Sequence, residues 1–258
     1  MLTIRAAQMK VFEADALRRF EDEMVAHCKT STIRARLCKV IGDEQLRVAI
    51  RQGMARAGAH GFTYRGPIRL YIELMFLYGS DFATDPQYPA LGSILNGPGD
   101  QMDRAERIHQ SVLDYEEAVY GPGAVNVRKA LETLLLKARS QITFSEADFV
   151  SGVLQGLKQV FPQKAAYIGD DALTELIGEA RAEAQKYGFP TFRDEVLMVG
   201  LKFGFGHGCT NDPLYPWISR TLRDERIVDA TARAARLEKK AVTWLEHVVA
   251  RNEEGSDT

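Results

Sequence analysis

The chain has 258 residues, of which 45% are hydrophobic and 26% charged, so it is long enough for a substantial core and has the composition of a globular protein. Its formal net charge of −2 argues against non-specific nucleic-acid binding, which needs a surplus of Lys and Arg. We expect a cytoplasmic protein without a membrane span, because residues 1–5 lack the apolar stretch of a secretory signal and no uncharged apolar run approaches the roughly 20 residues that cross a bilayer.

The first predicted elements are three helices. Apolar residues at helical spacing predict the first of them: Phe12, Leu17, Phe20, Met24 and Val25. Asp43 is placed to cap the second helix, and Gly61 to end it in the left-handed conformation, with Phe62 folding back on the last turn. Residues 68–78 are apolar almost all round and predict a buried central helix.

A loop then leads to a short helix and a longer one. Asp85 and Pro86 suit an N-cap followed by proline, but Pro89 is an alternative first helical residue, and the sequence leaves both open. The longer helix is marked by Ile108, Val112, Tyr115 and Val119. Gly121-Pro122-Gly123 is a break, after which residues 125–140 predict a connecting helix. A further helix is marked by Phe149, Val153, Leu157 and Val160.

The second part of the chain repeats the first. A shift of 127 positions, from Ile41 to Ile168, aligns Ile-Gly-Asp, Gly-Phe and Asp-Pro-x-Tyr-Pro with second copies of themselves, without a gap. Asp170 and Gly188 thereby match the predicted cap and helix end of the first part. Residues 196–205 have the Val, Phe and Gly content of a strand, but their equivalence to residues 69–78 predicts a helix. Such coincidence of glycines, prolines and apolar positions indicates a duplication.

We therefore predict an all-α fold with two tandem repeats of a helical-bundle unit. The first repeat comprises residues 1–120, and residues 121–143 form the linker and connecting helix. The second repeat comprises residues 144–258 and ends in a polar tail from Asn252 that we expect to be disordered.

The chemistry-bearing residues do not predict an assembled active site. His207 and Cys209 are the one close pair with metal-ligand character, and no third ligand follows in the sequence nearby. Three cysteines, Cys28, Cys38 and Cys209, lack CxxC spacing and are expected to be reduced thiols. We predict no catalytic residue, metal or cofactor, with an enzymatic or ligand-binding role of the His207–Cys209 loop as an alternative.

The two Asp-Pro-x-Tyr-Pro segments are the best candidates for a functional surface. One interpretation is purely structural, with a cap and an aromatic side chain packed under a loop. The other is that they present aromatic contacts to a protein partner, since aromatic residues contribute disproportionately to interfaces. The candidate partner-binding residues are Asp85, Tyr88, Pro89, Asp212, Tyr215, Pro216 and Trp217.

Several motifs of the first unit carry a resemblance to a bacterial family. They are Leu2-Thr3-Ile4-Arg5, Phe20-Glu21-Asp22, Met24-Val25-Ala26-His27, Gly61, Tyr71-Ile72, Met75-Phe76 and the run from Gly79 to Pro89 that leads to Ile94-Leu95. The chain resembles helical proteins encoded beside PAAR-repeat spike proteins and toxins of the type VI secretion system. The resemblance covers roughly residues 2–119, and the second unit departs from it at residues 204–210.

The resemblance implies an accessory, non-enzymatic role. The chain would be an adaptor or chaperone that holds a toxin effector before loading, with the effector or a PAAR-type spike protein as its partner. An immunity protein that neutralises a cognate toxin is the alternative. The resemblance implies no catalytic residues for this chain.

Overall fold

The structure, a computed structural model, describes residues 6–31, 34–142 and 144–254. These residues form helices and the loops between them, and none of them lies in a β-strand. The all-α prediction is confirmed. The motif Leu2–Arg5 and the end of the predicted tail, residues 255–258, lie outside the described residues.

Thirteen α-helices follow one another in the described ranges. They are α1 Ala6–Thr30, α2 Ala35–Ile41, α3 Asp43–Ala59, α4 Arg65–Tyr78, α5 Pro89–Leu95, α6 Gln101–Tyr115, α7 Val125–Ala138, α8 Phe149–Val160, α9 Pro162–Ile168, α10 Asp170–Lys186, α11 Phe192–Phe205, α12 Pro216–Leu222 and α13 Ala230–Glu254. A π-helical turn, Glu116–Tyr120, continues α6, and a 3-10 turn, Pro122–Ala124, leads into α7.

Four pairs of helices have the same length, and the members of each pair begin 127 residues apart. They are α2 and α9 with 7 residues, α3 and α10 with 17, α4 and α11 with 14, and α5 and α12 with 7. The helices before them differ, since α1 has 25 residues and α8 has 12. The bounds of these four pairs therefore follow the same spacing as the sequence motifs.

The predicted caps at Asp43 and Asp170 are wrong, because each aspartate is the first helical residue and a glycine stands at the N-cap. Neither helix has a side-chain cap. The carboxylates bind lysines instead, with Lys29 Nζ 2.6 Å from Asp43 and Lys158 Nζ 2.8 Å from Asp170. Their negative charge still favours the helix N-terminus through the helix dipole.

The predicted helix ends at Gly61 and Gly188 are confirmed. Their φ angles of +75° and +70° lie in the left-handed region that glycine adopts without a Cβ penalty. The Phe62 N–H then donates to the Ala57 carbonyl at 2.9 Å, which closes the last turn of α3. Phe62 and its counterpart Phe189 fold back into the core, as predicted.

Two open points of the sequence are resolved. Residues 196–205 belong to α11 and are helical, as their equivalence to the first part predicts. Pro89 and Pro216 are the first residues of α5 and α12. Asp85 and Asp212 therefore lie in the preceding loops and do not cap these helices.

One hydrophobic core extends through both parts of the chain, and a smaller cluster lies beneath α1. The predicted stripe of α8 is buried throughout. The helix marked by the stripe of α1 is present, but Phe20 and Met24 are buried whereas Phe12 and Leu17 are 62% and 58% exposed. The first turns of α1 thus leave large apolar side chains in contact with solvent.

The break between the two parts is confirmed by positive φ angles at Gly121 and Gly123, and residues 125–138 form the helix predicted after it. This helix, α7, packs against α8 and α13. α13 continues to Glu254, so residues 252–254 are helical where the sequence predicts the start of a disordered tail.

Candidate functional site

The ends of α4 and α11 touch each other through their backbones. Gly79 and Gly206 follow these helices, with φ angles of +91° and +93°. A Cβ on Gly79 would lie 2.5 Å from the Phe205 carbonyl oxygen, and one on Gly206 would lie 2.7 Å from that of Tyr78. Only glycine fits here, because both the φ angle and the opposing backbone exclude a side chain.

Each Asp-Pro-x-Tyr-Pro segment binds the helix end of the other part. The Asp85 carboxylate accepts a hydrogen bond from the His207 backbone N–H at 2.7 Å. The Asp212 carboxylate accepts one from the Ser80 N–H at 2.7 Å and another from its hydroxyl at 2.6 Å. Both carboxylates are only 2% exposed. Because Asp212 and His207 lie 127 residues after Asp85 and Ser80, the two contacts are reciprocal.

The same aspartates also shape their own loops. Asp85 accepts from the Gln87 N–H at 2.9 Å, and Asp212 from the Leu214 N–H at 2.8 Å, which is the pattern of an Asx turn. Burial raises the pKa of Asp212, although the hydrogen bonds from Ser80 and Leu214 act to lower that pKa. Of the predicted partner-binding residues, these two lie inside the molecule.

The aromatic members of the predicted surface belong to two separate clusters. Tyr88 is 7% exposed and packs on Tyr78, with ring centroids 4.5 Å apart. Tyr215 and Trp217 are half-buried and pack on Phe205, at 4.6 and 5.9 Å. The prolines beside them lie further out, Pro89 exposed and Pro216 half-buried. The structure thus brings Asp85 and Asp212 to one centre but does not join Tyr88 to Tyr215.

Tyr88 belongs to a group of five tyrosines, which we call the tyrosine cluster: Tyr78, Tyr88, Tyr115, Tyr120 and Tyr167. Tyr115 lies at the centre of the cluster. Its ring makes edge-to-face contacts with the rings of the other four tyrosines, at distances of 5.0 to 5.6 Å between ring centroids. Burial raises the pKa of Tyr78, Tyr88, Tyr115 and Tyr120, so these phenols stay neutral at physiological pH. Sequence reasoning missed this cluster, since Tyr78 and Tyr115 fit apolar helix stripes and nothing links them to Tyr167.

A cavity of about 280 Å³ adjoins the tyrosine cluster. Tyr78, Tyr88, Tyr115 and Tyr167 line it together with Gln87, Ser111 and apolar atoms of α5. The hydroxyl of Tyr78 and the side-chain oxygen of Gln87 are buried and have no hydrogen-bond partner among the described residues. Both atoms have almost no accessible surface, so they are not open to the cavity, whose walls are mainly aromatic and apolar.

A buried lysine from α9 lies behind the cluster. Lys164 is 7% exposed, and its Nζ donates to the Phe203 carbonyl at 2.6 Å. The ammonium also lies 4.3 Å from the centroid of the Phe203 ring and 5.6 Å from that of Tyr88. Burial lowers the pKa of Lys164 to about 8, against the smaller effect of Asp85.

The His207–Cys209 loop holds its two side chains in different surroundings. His207 Nδ1 lies 3.2 Å from the Glu179 carboxylate, and its Nε2 lies 3.1 Å from the Thr84 hydroxyl. Cys209 is fully buried, and burial raises the pKa of its thiol, which disfavours the nucleophilic thiolate. Within the described ranges, no three His, Cys, Asp or Glu side chains converge in a way that could hold a metal ion.

All three cysteines are free and buried. The pKa of Cys28 is raised chiefly by its interaction with the Cys38 side chain and then by burial. The prediction of reduced thiols agrees with this arrangement.

The described residues define an all-helical protein in which two crossed loops meet at the centre and a tyrosine-lined cavity lies beside them. No helix among them is both long and apolar enough to cross a membrane. Comparison of the chain with protein-family models, curated proteins and solved structures finds no match.

Proposed function

We propose that this chain is a non-enzymatic, cytoplasmic adaptor or chaperone that binds a toxin effector of the type VI secretion system, or its PAAR-type spike protein. The resemblance of the first unit supports the identity of the partner. The observation that carries the binding role is the exposure of Phe12 and Leu17 on α1. Large apolar side chains on an exposed helix segment are a common means of docking onto the groove of another protein.

We also propose that the scaffold arose by duplication of one helical unit, with repeats at residues 1–120 and 144–258 joined by residues 121–143. The support is the common offset of 127 residues in the motifs, in four helix pairs and in the reciprocal Asp85–His207 and Asp212–Ser80 contacts. Such a scaffold is rigid at its centre, because the crossed loops tie both repeats together. α1 is then free to supply contacts to a partner.

Co-expression with the effectors and spike proteins encoded beside this chain tests the proposal. We expect one of them to co-purify with the wild-type chain. The amount of partner that co-purifies with the double variant Phe12→Asp/Leu17→Asp should be at least about tenfold lower than with the wild type. The reason is that each apolar anchor residue of an interface contributes more than about 1 kcal/mol to binding. Its unfolding free energy should change by less than about 0.5 kcal/mol, since both side chains are exposed.

Val228→Asp is the matched control, because Val228 is 87% exposed and lies far along the chain in the loop before α13. It should bind the partner like the wild type. Absence of any co-purifying effector or spike protein would refute the adaptor role, and normal binding by the double variant would refute the role of α1. Protection of cells from an active toxin, without delivery of that toxin, would identify an immunity protein instead.

A further inference from the structure

The cavity beside the tyrosine cluster lies where the second part of the chain holds a tryptophan. At the shift of 127 residues, Trp217 stands for Ala90, and each is the second residue of its short helix, α12 or α5. The indole of Trp217 packs edge to face on Phe205, with ring centroids 5.9 Å apart. Phe205 in turn stands for Tyr78, and both Tyr78 and Ala90 line the cavity. The first part thus has a methyl group and a cavity at the place where the second part has an indole ring.

The other rings around this place correspond in the two parts. Tyr78 and Tyr88 have ring centroids 4.5 Å apart, and the residues at the shift of 127, Phe205 and Tyr215, have centroids 4.6 Å apart. A further aromatic ring from the long helix of the same part, α6 or α13, packs edge to face on Tyr78 and on Phe205. Three rings of each part therefore form corresponding arrangements, and the cavity lies where a fourth ring completes the arrangement in the second part.

The size and walls of the cavity suit an indole ring. Its volume is about 280 Å³, and an apolar cavity of about 150 Å³ is already large enough for benzene. No charged side chain lines the cavity, and its floor consists of the buried side chains of Tyr78, Tyr88, Leu91 and Tyr115. An aromatic side chain in this place gains burial and edge-to-face ring contacts together.

The mouth of the cavity lies at the surface, so the ring can come from another protein. Pro89 and Ala90 are exposed, Tyr167 is 43% exposed, and all three line the cavity. Because position 90 carries only a methyl group, a ring must enter from outside the chain. Tryptophan is among the commonest anchor residues of protein interfaces, where it fills a pocket whose rim excludes water. Pro89 and Tyr167 supply such a rim.

We propose that this cavity receives a tryptophan side chain of the protein partner, in the place that Trp217 occupies in the second part. The inference rests on the proposed protein-binding role and names the anchor that the partner supplies. It adds a contact at α5, α6 and α9 to the exposed residues of α1.

Titration of the isotope-labelled full chain with N-acetyl-tryptophanamide, followed by nuclear magnetic resonance, tests the proposal without a partner. This probe carries the tryptophan side chain on a capped backbone. We expect saturable binding of one molecule per chain, with a Kd of about 1 mM or lower. N-acetyl-leucinamide, which is apolar but has no ring, should bind at least about tenfold more weakly because it forms no ring contacts. Absence of saturable binding of the tryptophan probe, or equal binding of the two probes, would overturn the proposal.

Ala90→Trp is the most direct variant, because it copies the residue of the second part. With its own indole in the cavity, it should bind the probe at least about tenfold more weakly and unfold at no lower a temperature than the wild type. Ala55→Trp, which places the same ring at an exposed position of α3 outside the cavity, is the matched control and should bind like the wild type. Unchanged binding by Ala90→Trp would overturn the proposal. A marked loss of its stability would contradict the equivalence to Trp217 on which the proposal depends.

This inference and the proposed function can fail separately. If an effector or spike protein co-purifies with the wild type, the amount that co-purifies with Ala90→Trp should be at least about tenfold lower. Normal co-purification with Ala90→Trp would overturn the role of the cavity and leave the adaptor role intact. Absence of any co-purifying effector or spike protein would refute the adaptor role alone, because the titration with the capped tryptophan needs no partner.

Discussion

The two parts of the chain agree where they touch each other and differ where each packs against its own helices. At the centre, Gly79 meets Gly206, and Asp85 and Asp212 each accept a hydrogen bond from a backbone N–H of the opposite loop. Around Tyr88 the first part has a tyrosine cluster with unpaired polar atoms, whereas the second part has Phe205 packed among tryptophans.

This comparison shows which positions a shared interface constrains. A residue at the central contact meets the equivalent loop of the other part, so a change there affects both. A residue in an outer cluster meets only its local neighbours and is free to diverge. Substitutions at the paired glycines, at the crossed aspartates and at Lys164 measure how far this reasoning holds.

The largest effect is expected at the paired glycines. Gly79→Ala and Gly206→Ala should each lower the unfolding free energy by about 4 kcal/mol, because alanine is strained at these φ angles and its Cβ would overlap the opposing backbone. Urea denaturation measures both values. Gly178→Ala is the control, since this exposed helical glycine has no neighbouring atom within 4 Å and alanine should leave stability equal or slightly higher. Effects below about 1 kcal/mol at either paired glycine would contradict the close backbone contact.

The next largest effect is expected at the crossed aspartates. Asp85→Ala and Asp212→Ala should each cost about 3 kcal/mol, because each leaves buried donors of both parts unpaired. Reciprocity predicts that the two losses agree within about 1 kcal/mol in urea denaturation. Asp114→Ala, at an exposed position of α6, should change stability by less than about 0.5 kcal/mol. A large loss at one aspartate and none at the other would show that the central contact is not reciprocal.

The third effect appears only at high pH and concerns Lys164, whose counterpart in the first part is Leu37. The pKa of Lys164 is lowered to about 8, so between about pH 8 and pH 10.4 the unfolded chain binds more protons than the folded one. Wild-type stability should therefore rise with pH across this window, by about 3 kcal/mol relative to Lys164→Met. Below about pH 8 the difference between the two proteins should be constant.

Chemical denaturation of wild type and Lys164→Met at a series of pH values measures this difference. The subtraction removes the contributions of thiols and tyrosines, which titrate in the same range and are present in both proteins. Parallel curves across the window would mean that Lys164 is not desolvated in the folded chain.

Local signals in the sequence predicted the helices well. Gly61 and Gly188 end their helices as expected, and the equivalence of residues 196–205 to residues 69–78 correctly outweighed their strand-like composition. The capping role of Asp43 and Asp170 was wrong, because the glycine before each of them occupies the N-cap. Phe12 and Leu17 mark α1 correctly and are nevertheless exposed, since periodicity shows that a helix has an apolar side but not whether another element covers it.

The sequence by itself determined the helical class, three of the four equivalent helix pairs (α3 and α10, α4 and α11, α5 and α12) and the glycines that end α3 and α10, because the signals for helices and turns lie within a few residues of each other. Only the tertiary structure decided that Asp85 and Asp212 accept hydrogen bonds from the opposite loops, and that four tyrosines distant in sequence line one cavity. The physical reason is that such contacts depend on the packing of elements that are distant along the chain, and neither hydrophobic periodicity nor turn chemistry carries that information.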